Sequence, residues 1–262
     1  MPRDRKPTVD RTRSAGTTRA VLLGRDHTGP GAMAIRSADA RTAAGLARGW
    51  RPKPYAYVDP NEDAVGIVAG EHAQLLVVAD GHNGHRASHQ AVEVVIDQLG
   101  DQLPTADLTD DELVVLVGYV EQRISEVAAP FGPRTRTTLV VALRTQNALQ
   151  WIGIGDSALL VIGSDTQELP AQTSWFCGDH LPPSAVYESL ARGRVEISSN
   201  AWVVLATDGY TDYLPVPRPP AEATKAFLRN ITEPDAAVDA LLRQARRGGA
   251  GDNVGIAASG PW

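Results

Sequence analysis

The chain has 262 residues, of which 43% are hydrophobic and 21% charged, and 25 basic against 31 acidic residues give a net charge of −6. This length and apolar content suffice for one sizeable core, and the acidic balance argues against a protein that binds nucleic acid in bulk. Cys177 is the only cysteine, so neither an internal disulfide nor a thiolate zinc site is possible. Because the sequence lacks a membrane-length apolar run and the apolar core of a signal peptide, we expect a cytoplasmic protein with no membrane partner.

In the first half of the chain, segments with periodic apolar residues alternate with segments that interrupt helices and strands. Residues 1–18 are polar and without periodicity, so we predict a flexible tail. Thr109, followed by three acids, is a typical N-cap with an acidic first turn. In chain order we predict a strand over 20–23, one or two helical turns within 38–47, strands over 64–69 and 73–79, and helices over 87–99 and 110–128.

The second half is predicted to contain consecutive strands before its helices. The predicted strands cover 137–144, 149–154, 158–163, 201–206 and 253–258, and the predicted helices cover 184–191 in a loop-rich region, 220–229 and 234–246. Strands that follow one another without a helix argue against a repeated βαβ unit. The pattern is therefore α+β, with antiparallel sheets and helices packed outside them, in one domain over residues 19–262.

Acidic residues recur at the ends of the predicted strands, usually beside glycine. Buried charge is costly unless it is paired or binds metal, and carboxylates with few histidine or cysteine partners suit hard cations such as Mg²⁺ or Mn²⁺. One strand-end acid alone would more simply cap a helix, and the first pair below would be an ordinary solvated loop pair by itself. The acids in question are Glu62 with Asp63, Asp80 before Gly81, Asp208 before Gly209, and Asp252 after Gly251.

Histidines cluster just after the first of these glycines. His82 either makes a local hydrogen bond at a helix start or acts as a general acid beside the carboxylates, since imidazole titrates in the useful range. His85 and His89 have the i, i+4 spacing of a zinc pair, but no third ligand is evident, so we expect both to lie on the surface.

Taken together and in order, these motifs resemble the metal-dependent protein phosphatases of type 2C. The resemblance spans about residues 58–258, and six motifs in the family's order form a specific signal. They are Asn61-Glu62-Asp63-Ala64, Asp80-Gly81-His82-Asn83-Gly84, Thr137-Thr138, Gly155-Asp156-Ser157, Thr207-Asp208-Gly209 with Asp212, and Gly251-Asp252-Asn253.

The resemblance implies a sandwich of two antiparallel β-sheets flanked by α-helices, in four layers, with two Mn²⁺ or Mg²⁺ ions at one edge. It implies that Asp80 bridges both ions and that the Gly81 carbonyl binds one of them. It further implies Asp208 and Asp252 as ligands, Glu62 and Asp63 as ligands through water, and His82 as the group that protonates the leaving alkoxide. A metal-activated water would then hydrolyse phosphoserine or phosphothreonine in a protein phosphorylated by a serine/threonine kinase pathway.

One departure from the family pattern concerns phosphate binding. Val58 occupies the position where the family carries an arginine that grips the substrate phosphate. Arg51, Arg86 and Arg136 are the candidates to replace it. Two alternatives to the phosphoprotein phosphatase therefore stay open, a catalytically weak or inactive phosphatase-like binding module and a hydrolase of non-protein phosphoesters.

Overall fold

The computed structural model describes residues 16–51, 61–127 and 134–262. The strands in these ranges are β1 Thr18–Leu23, β2 Met33–Asp39, β3 Thr42–Ala47, β4 Ala64–Ala69, β5 Gln74–Ala79, β6 Gly81–His82, β7 Arg136–Thr137, β8 Leu139–Arg144, β9 Ala148–Ile154, β10 Ala158–Ile162, β11 Gln167–Leu169, β12 Ala191–Glu196, β13 Trp202–Ala206 and β14 Val254–Ser259. The α-helices are α1 Arg86–Leu99, α2 Asp110–Val127, α3 Pro183–Ser189, α4 Asp208–Thr211, α5 Pro220–Leu228 and α6 Pro234–Arg247.

Within the described ranges the strands form two six-stranded sheets in which every pairing is antiparallel. The first sheet has the order β1-β4-β5-β8-β9-β12, and the second has the order β11-β10-β13-β14-β3-β2. A short ladder of β6 with β7 extends from the end of β5. The predicted α+β class with two antiparallel sheets is confirmed.

Three apolar layers hold the four structural layers together. One layer lies between α1, α2 and the first sheet, a second between the two sheets, and a third between the second sheet and α5 and α6. Because the central strands are covered on both faces, β4, β5, β8 and β14 are buried along their whole length, and this explains their continuous apolar sequences. Among the described residues, none of the helices combines the length and apolarity that crossing a bilayer requires.

The predicted helical turns within 38–47 are wrong, because this segment forms most of the β2–β3 hairpin. Alanine favours helices in isolation, but here the small residues of β3 allow α6 to pack directly on the strand. A methyl group on Gly45 would collide with the side chains of Val238 and Leu242 in α6. Residues 1–15 of the predicted tail lie outside the described residues, and β1 begins at Thr18, opposite Ala69 of β4.

A buried arginine joins the two sheets at the end of β8. The Arg144 guanidinium donates hydrogen bonds to the Ser259 carbonyl at 2.9 Å, the Gly260 carbonyl at 2.8 Å and the Ala201 carbonyl at 2.8 Å. Burial lowers the pKa of Arg144 to about 10, since desolvation disfavours the charged form. The hydrogen bonds to these carbonyls therefore offset the free-energy cost of burying the charged guanidinium group.

We expect Arg144→Met to lower the free energy of unfolding by about 2–4 kcal/mol, because several buried carbonyls would lose their donor. Chemical denaturation monitored by circular dichroism measures the loss. Arg243→Met is the matched control, since Arg243 is an exposed residue paired with Asp239 at 2.7 Å, and surface pairs contribute little. Equal stability of the two variants would contradict the proposal that Arg144 holds the two sheets together.

Candidate active site

Register in the first sheet places two acids side by side. Ala64 at the start of β4 pairs with Ala79 at the end of β5, so Asp63 and Asp80, the next residues outward, lie at the same sheet edge. Both are buried, with relative exposures of 1% and 7%. Buried carboxylates at adjacent positions repel each other unless a proton or a cation lies between them.

The second sheet delivers two further acids to this edge. Ala206 of β13 pairs with Ile256 of β14, and the Thr207 amide donates to the Gly255 carbonyl at 3.0 Å. Asp208 therefore begins α4 just beyond β13, while Asp252 precedes β14. The two chain segments touch at Gly209, where a methyl group would collide with the backbone carbonyl of Asn253.

One hydroxyl, which sequence reasoning did not assign, links the two sheets at the site. Thr207 Oγ1 donates to Asp63 Oδ2 at 2.8 Å and accepts from the Gly255 amide at 2.8 Å. The side chain of Thr207 therefore fixes the orientation of Asp63 from the opposite sheet. The feature of the sequence that could have indicated this role is the position of Thr207 directly before Asp208 in the motif.

The threonine pair and the Gly-Asp-Ser motif hold the backbone of Asp80. The Asp80 amide donates to Thr138 Oγ1 at 2.9 Å, and the Asp80 carbonyl accepts from the Thr138 amide at 3.0 Å and from Thr137 Oγ1 at 2.8 Å. Thr138 Oγ1 also lies 2.8 Å from Ser157 Oγ. Both motifs therefore act on the site through the position of Asp80.

A tight turn connects Asp80 to the start of α1. The Gly84 amide donates to Glu62 Oε1, and Ser88 Oγ donates to the Glu62 carbonyl. Asn83 and Gly84 take positive φ values of 64° and 106°, and an asparagine or glycine accepts such a turn most readily. A methyl group on Gly81 would lie 2.7 Å from the Glu62 carbonyl oxygen, so glycine at this position allows the backbones to approach closely.

The four carboxylates interact electrostatically. Burial and the nearby charges of Asp63, Asp208 and Asp252 raise the pKa of Asp80 well above its usual value, and a hydrogen bond to Asp208 raises it further. Burial also raises the pKa of Asp208 to about 6, against the lowering effect of the same hydrogen bond. Both carboxyls therefore protonate more readily than an ordinary aspartate, and a hydrogen bond links them.

The donor chemistry of this edge fits a hard divalent cation. Asp208 Oδ1 is buried and has no hydrogen-bond partner, and the surrounding donors are carboxylate and carbonyl oxygens, which Mg²⁺ and Mn²⁺ prefer. Among the described residues, no three acidic, histidine or cysteine side chains are yet arranged as a closed ligand set. A bound cation would neutralise the negative charge that these carboxylates bring together at the sheet edge.

The histidines occupy two different environments. His82 is half-buried in β6 and packs edge-on against Phe176, with ring centroids 4.8 Å apart. His89 is 1% exposed in α1, and its ring centroid is 4.4 Å from that of His85. The expectation that His89 lies on the surface is therefore wrong, because α1 turns this position toward the core.

The three candidate phosphate-binding arginines lie at different parts of the site. Arg51 donates its backbone amide to the Gly251 carbonyl at 3.1 Å, next to Asp252. Arg86 begins α1, and its Nη1 lies 3.4 Å from the Val127 carbonyl oxygen. Arg136 is the strand partner of His82. Contact of any of them with phosphate stays a prediction, and Val58 lies outside the described residues.

Comparisons with known proteins agree with this fold. The family model "Protein phosphatase 2C" matches residues 56–245. A serine/threonine phosphatase stp of Listeria innocua is 28% identical over 144 residues, covering 52% of this chain and only 54%, about half, of that protein.

Solved structures with the same fold include the serine/threonine phosphatase PstP/Ppp of Mycobacterium tuberculosis. It is 24% identical, with a TM-score of 0.64 over 87% of this chain and 99% of that one. A structure of the PstP catalytic domain with two manganese ions is 23% identical, with a TM-score of 0.65 over 87% and 98%. Stp1 of Staphylococcus aureus is 18% identical, with a TM-score of 0.62 over 83% and 94%.

We expect Asp208→Asn to stabilise the metal-free protein by about 1–3 kcal/mol at pH 7.5. A carboxyl whose folded pKa is raised contributes stability below its unfolded pKa near 4 and loses that contribution as pH rises through its folded pKa, here about 6. The gain should therefore vanish at pH 4. Thermal unfolding in EDTA across pH 4–8 measures it, with the more exposed Asp239→Asn as control. A pH-independent difference would contradict the raised pKa.

Proposed function

Because the chain belongs to the protein phosphatase 2C family, we propose that it hydrolyses phosphoserine or phosphothreonine in proteins with two Mn²⁺ or Mg²⁺ ions. The observation that carries this proposal is the convergence of Asp63, Asp80, Asp208 and Asp252 on one sheet edge, where burial and like charges raise the pKa of Asp80. Keeping such a cluster costs stability, and a cation-dependent activity gives a reason for it.

The chain's own oxygens would hold the ions. Asp80 interacts with the acids of both sheets, and Asp80, Asp208 and Asp252 are the carboxylates that would hold the ions. The Gly81 carbonyl is a further candidate, and Glu62 and Asp63 would act through water. Bound divalent cations supply charge neutralisation for the phosphoryl group and lower the pKa of a coordinated water.

His82 is proposed to deliver a proton to the leaving serine or threonine oxygen. His82 follows Asp80 by two residues in the chain, and packing against Phe176 restrains its ring. General acids of this type contribute typically 10²–10⁴-fold. Cys177 is not a competing nucleophile, because burial raises the pKa of its thiol well above the usual value, and a buried thiol is unreactive.

Phosphorylated proteins are the proposed substrates, from a serine/threonine kinase pathway. The name of the Listeria relative supports this class. A single cysteine that is buried and unpaired is compatible with the reducing cytoplasm, where we propose that the protein acts.

A binding module with weak or no catalysis is the second candidate, and Val58 in place of the usual arginine favours it. This alternative predicts cation binding without turnover. A phosphopeptide turnover of order 1 s⁻¹ or more would exclude it. Val58→Arg would raise the activity if the absence of an arginine at this position limits the rate.

Asp80→Asn is expected to abolish phosphate release from a phosphothreonine peptide in Mn²⁺, a loss of about 10³-fold or more, because one of the carboxylates that would hold the ions is removed. A malachite-green assay measures it, with EDTA as a second control and Asp239→Asn as a charge-matched surface variant. Undiminished release from Asp80→Asn would contradict the ligand assignment.

His82→Gln is expected to lower kcat by about 10²-fold or more on a phosphopeptide, with a smaller loss on p-nitrophenyl phosphate. The reason is that nitrophenolate leaves without a proton, whereas the serine or threonine alkoxide needs one. Steady-state kinetics on both substrates give the comparison. An equal loss on both would contradict the general-acid role.

Thr207→Val is expected to weaken Mn²⁺ binding about 10-fold or more, because groups that hydrogen-bond to metal ligands orient them and the loss of such groups costs about 10–100-fold in affinity. Thr207→Ser keeps the hydroxyl that donates to Asp63 and should retain most of the affinity. Isothermal titration with Mn²⁺ compares the variants. Equal affinities of the Val and Ser variants would show that the hydroxyl does not position Asp63.

A further inference from the structure

Arg136 lies directly opposite His82 in the β6–β7 ladder. Opposite residues of an antiparallel pair project to the same face, with Cβ atoms about 4.5–5.5 Å apart. The Arg136 side chain is 42% exposed. A guanidinium group is therefore held at the surface immediately beside the proposed general acid.

Phe176 joins these two side chains. Its ring packs edge-on against His82, with centroids 4.8 Å apart and an interplanar angle of 80°. The Arg136 guanidinium lies over the same ring, 4.5 Å from its centroid, in the geometry of a cation–π contact. His82, Phe176 and Arg136 thus form one continuous platform.

The loop that carries Phe176 is fixed on three sides. The Phe176 amide donates to Asp179 Oδ2 at 2.9 Å, and Cys177 exchanges two 2.9 Å backbone hydrogen bonds with Thr137. The Gly178 amide donates to Glu121 Oε1 of α2 at 2.8 Å. Because these contacts order the loop before any ligand arrives, little ordering entropy is left to lose on binding.

The charge around this platform favours an anion. Arg86 and Arg134 are exposed near the same turn, and the Asn83 side chain next to His82 donates to the Arg134 carbonyl at 3.1 Å. Asp179 Oδ1 lies 3.7 Å from one nitrogen of Arg136. A guanidinium has five N–H donors, so this contact leaves Arg136 able to bind a second carboxylate.

The chemistry of the proposed reaction fixes which part of the substrate meets the platform. A general acid must lie on the leaving-group side of phosphorus, where the peptide chain is attached. We infer that Arg136, stacked on Phe176, binds an aspartate or glutamate next to the phosphorylated residue, and that the protein therefore selects acidic phosphopeptides. This inference rests on the proposed function, whose acid is His82.

The test compares three phosphothreonine peptides that differ only in the flanking residues, which are Glu, Gln or Lys. We expect kcat/KM in Mn²⁺ to be about 2–5-fold higher for the Glu peptide than for the Gln peptide, the scale of one exposed charge pair, and lowest for the Lys peptide. In Arg136→Gln the Glu/Gln ratio should fall to about 1 (a loss of selectivity for the charge pair), and Arg136→Glu should invert the order of the Glu and Lys peptides.

Arg229→Gln is the matched control, because Arg229 is exposed at the end of α5 in the opposite helix layer, and it should keep the wild-type ratio. A wild-type ratio of 1, or an unchanged ratio in Arg136→Gln, would overturn the inference.

Hydrolysis of p-nitrophenyl phosphate by the wild-type protein tests the proposed function separately. If no substrate is turned over, fluorescence anisotropy of the same labelled phosphopeptides measures the ratio as affinities. A Glu preference that Arg136→Gln removes would support the inference even then, and equal affinities would overturn it.

Discussion

Repulsion among buried carboxylates is the constraint on which the arrangement of this protein's site depends. Asp63 and Asp80 arrive from one sheet and Asp208 and Asp252 from the other, and their mutual charge and burial raise the pKa of Asp80. A fold can keep such a cluster only if other interactions are strong enough to offset it. In this protein, the burial of three apolar layers and a network of hydrogen bonds around the site together offset the cost of the carboxylate cluster.

Hydrogen bonds from other segments of the chain hold Asp63 and Asp80 in the site. Thr207 orients Asp63 across the sheet interface, and Thr137 of β7 with the adjacent Thr138 holds the backbone of Asp80. Far from this edge, Arg144 binds carbonyls of the opposite sheet. Polar contacts therefore join the two sheets at both ends of the sandwich, and the apolar core lies between them.

The sequence predicted the elements whose signals are local. Continuous apolar runs identified β4, β5 and β13, a threonine cap identified the start of α2, and the α+β class followed from consecutive strands. The β2–β3 hairpin was missed, because the alanines of this segment favour a helix in isolation, whereas packing against α6 favours a strand. The short strands β11 and β12 were missed too, since Gln167–Leu169 and Ala191–Glu196 are partly exposed. Thr207 and Phe176 were not assigned roles, because their importance arises from residues distant in sequence, and metal binding by the predicted acids stays a prediction.

The central claim is that these four carboxylates form a cation site in which binding is coupled to proton release, because burial and neighbouring charges raise the pKa of Asp80. Calorimetric titration of Mn²⁺ at pH 7 in buffers of different ionisation enthalpy measures the protons released on binding. The account predicts saturable binding with about one proton released per chain, and a smaller release in Asp80→Asn. Binding with no proton release, or no binding to the wild-type protein, would contradict it.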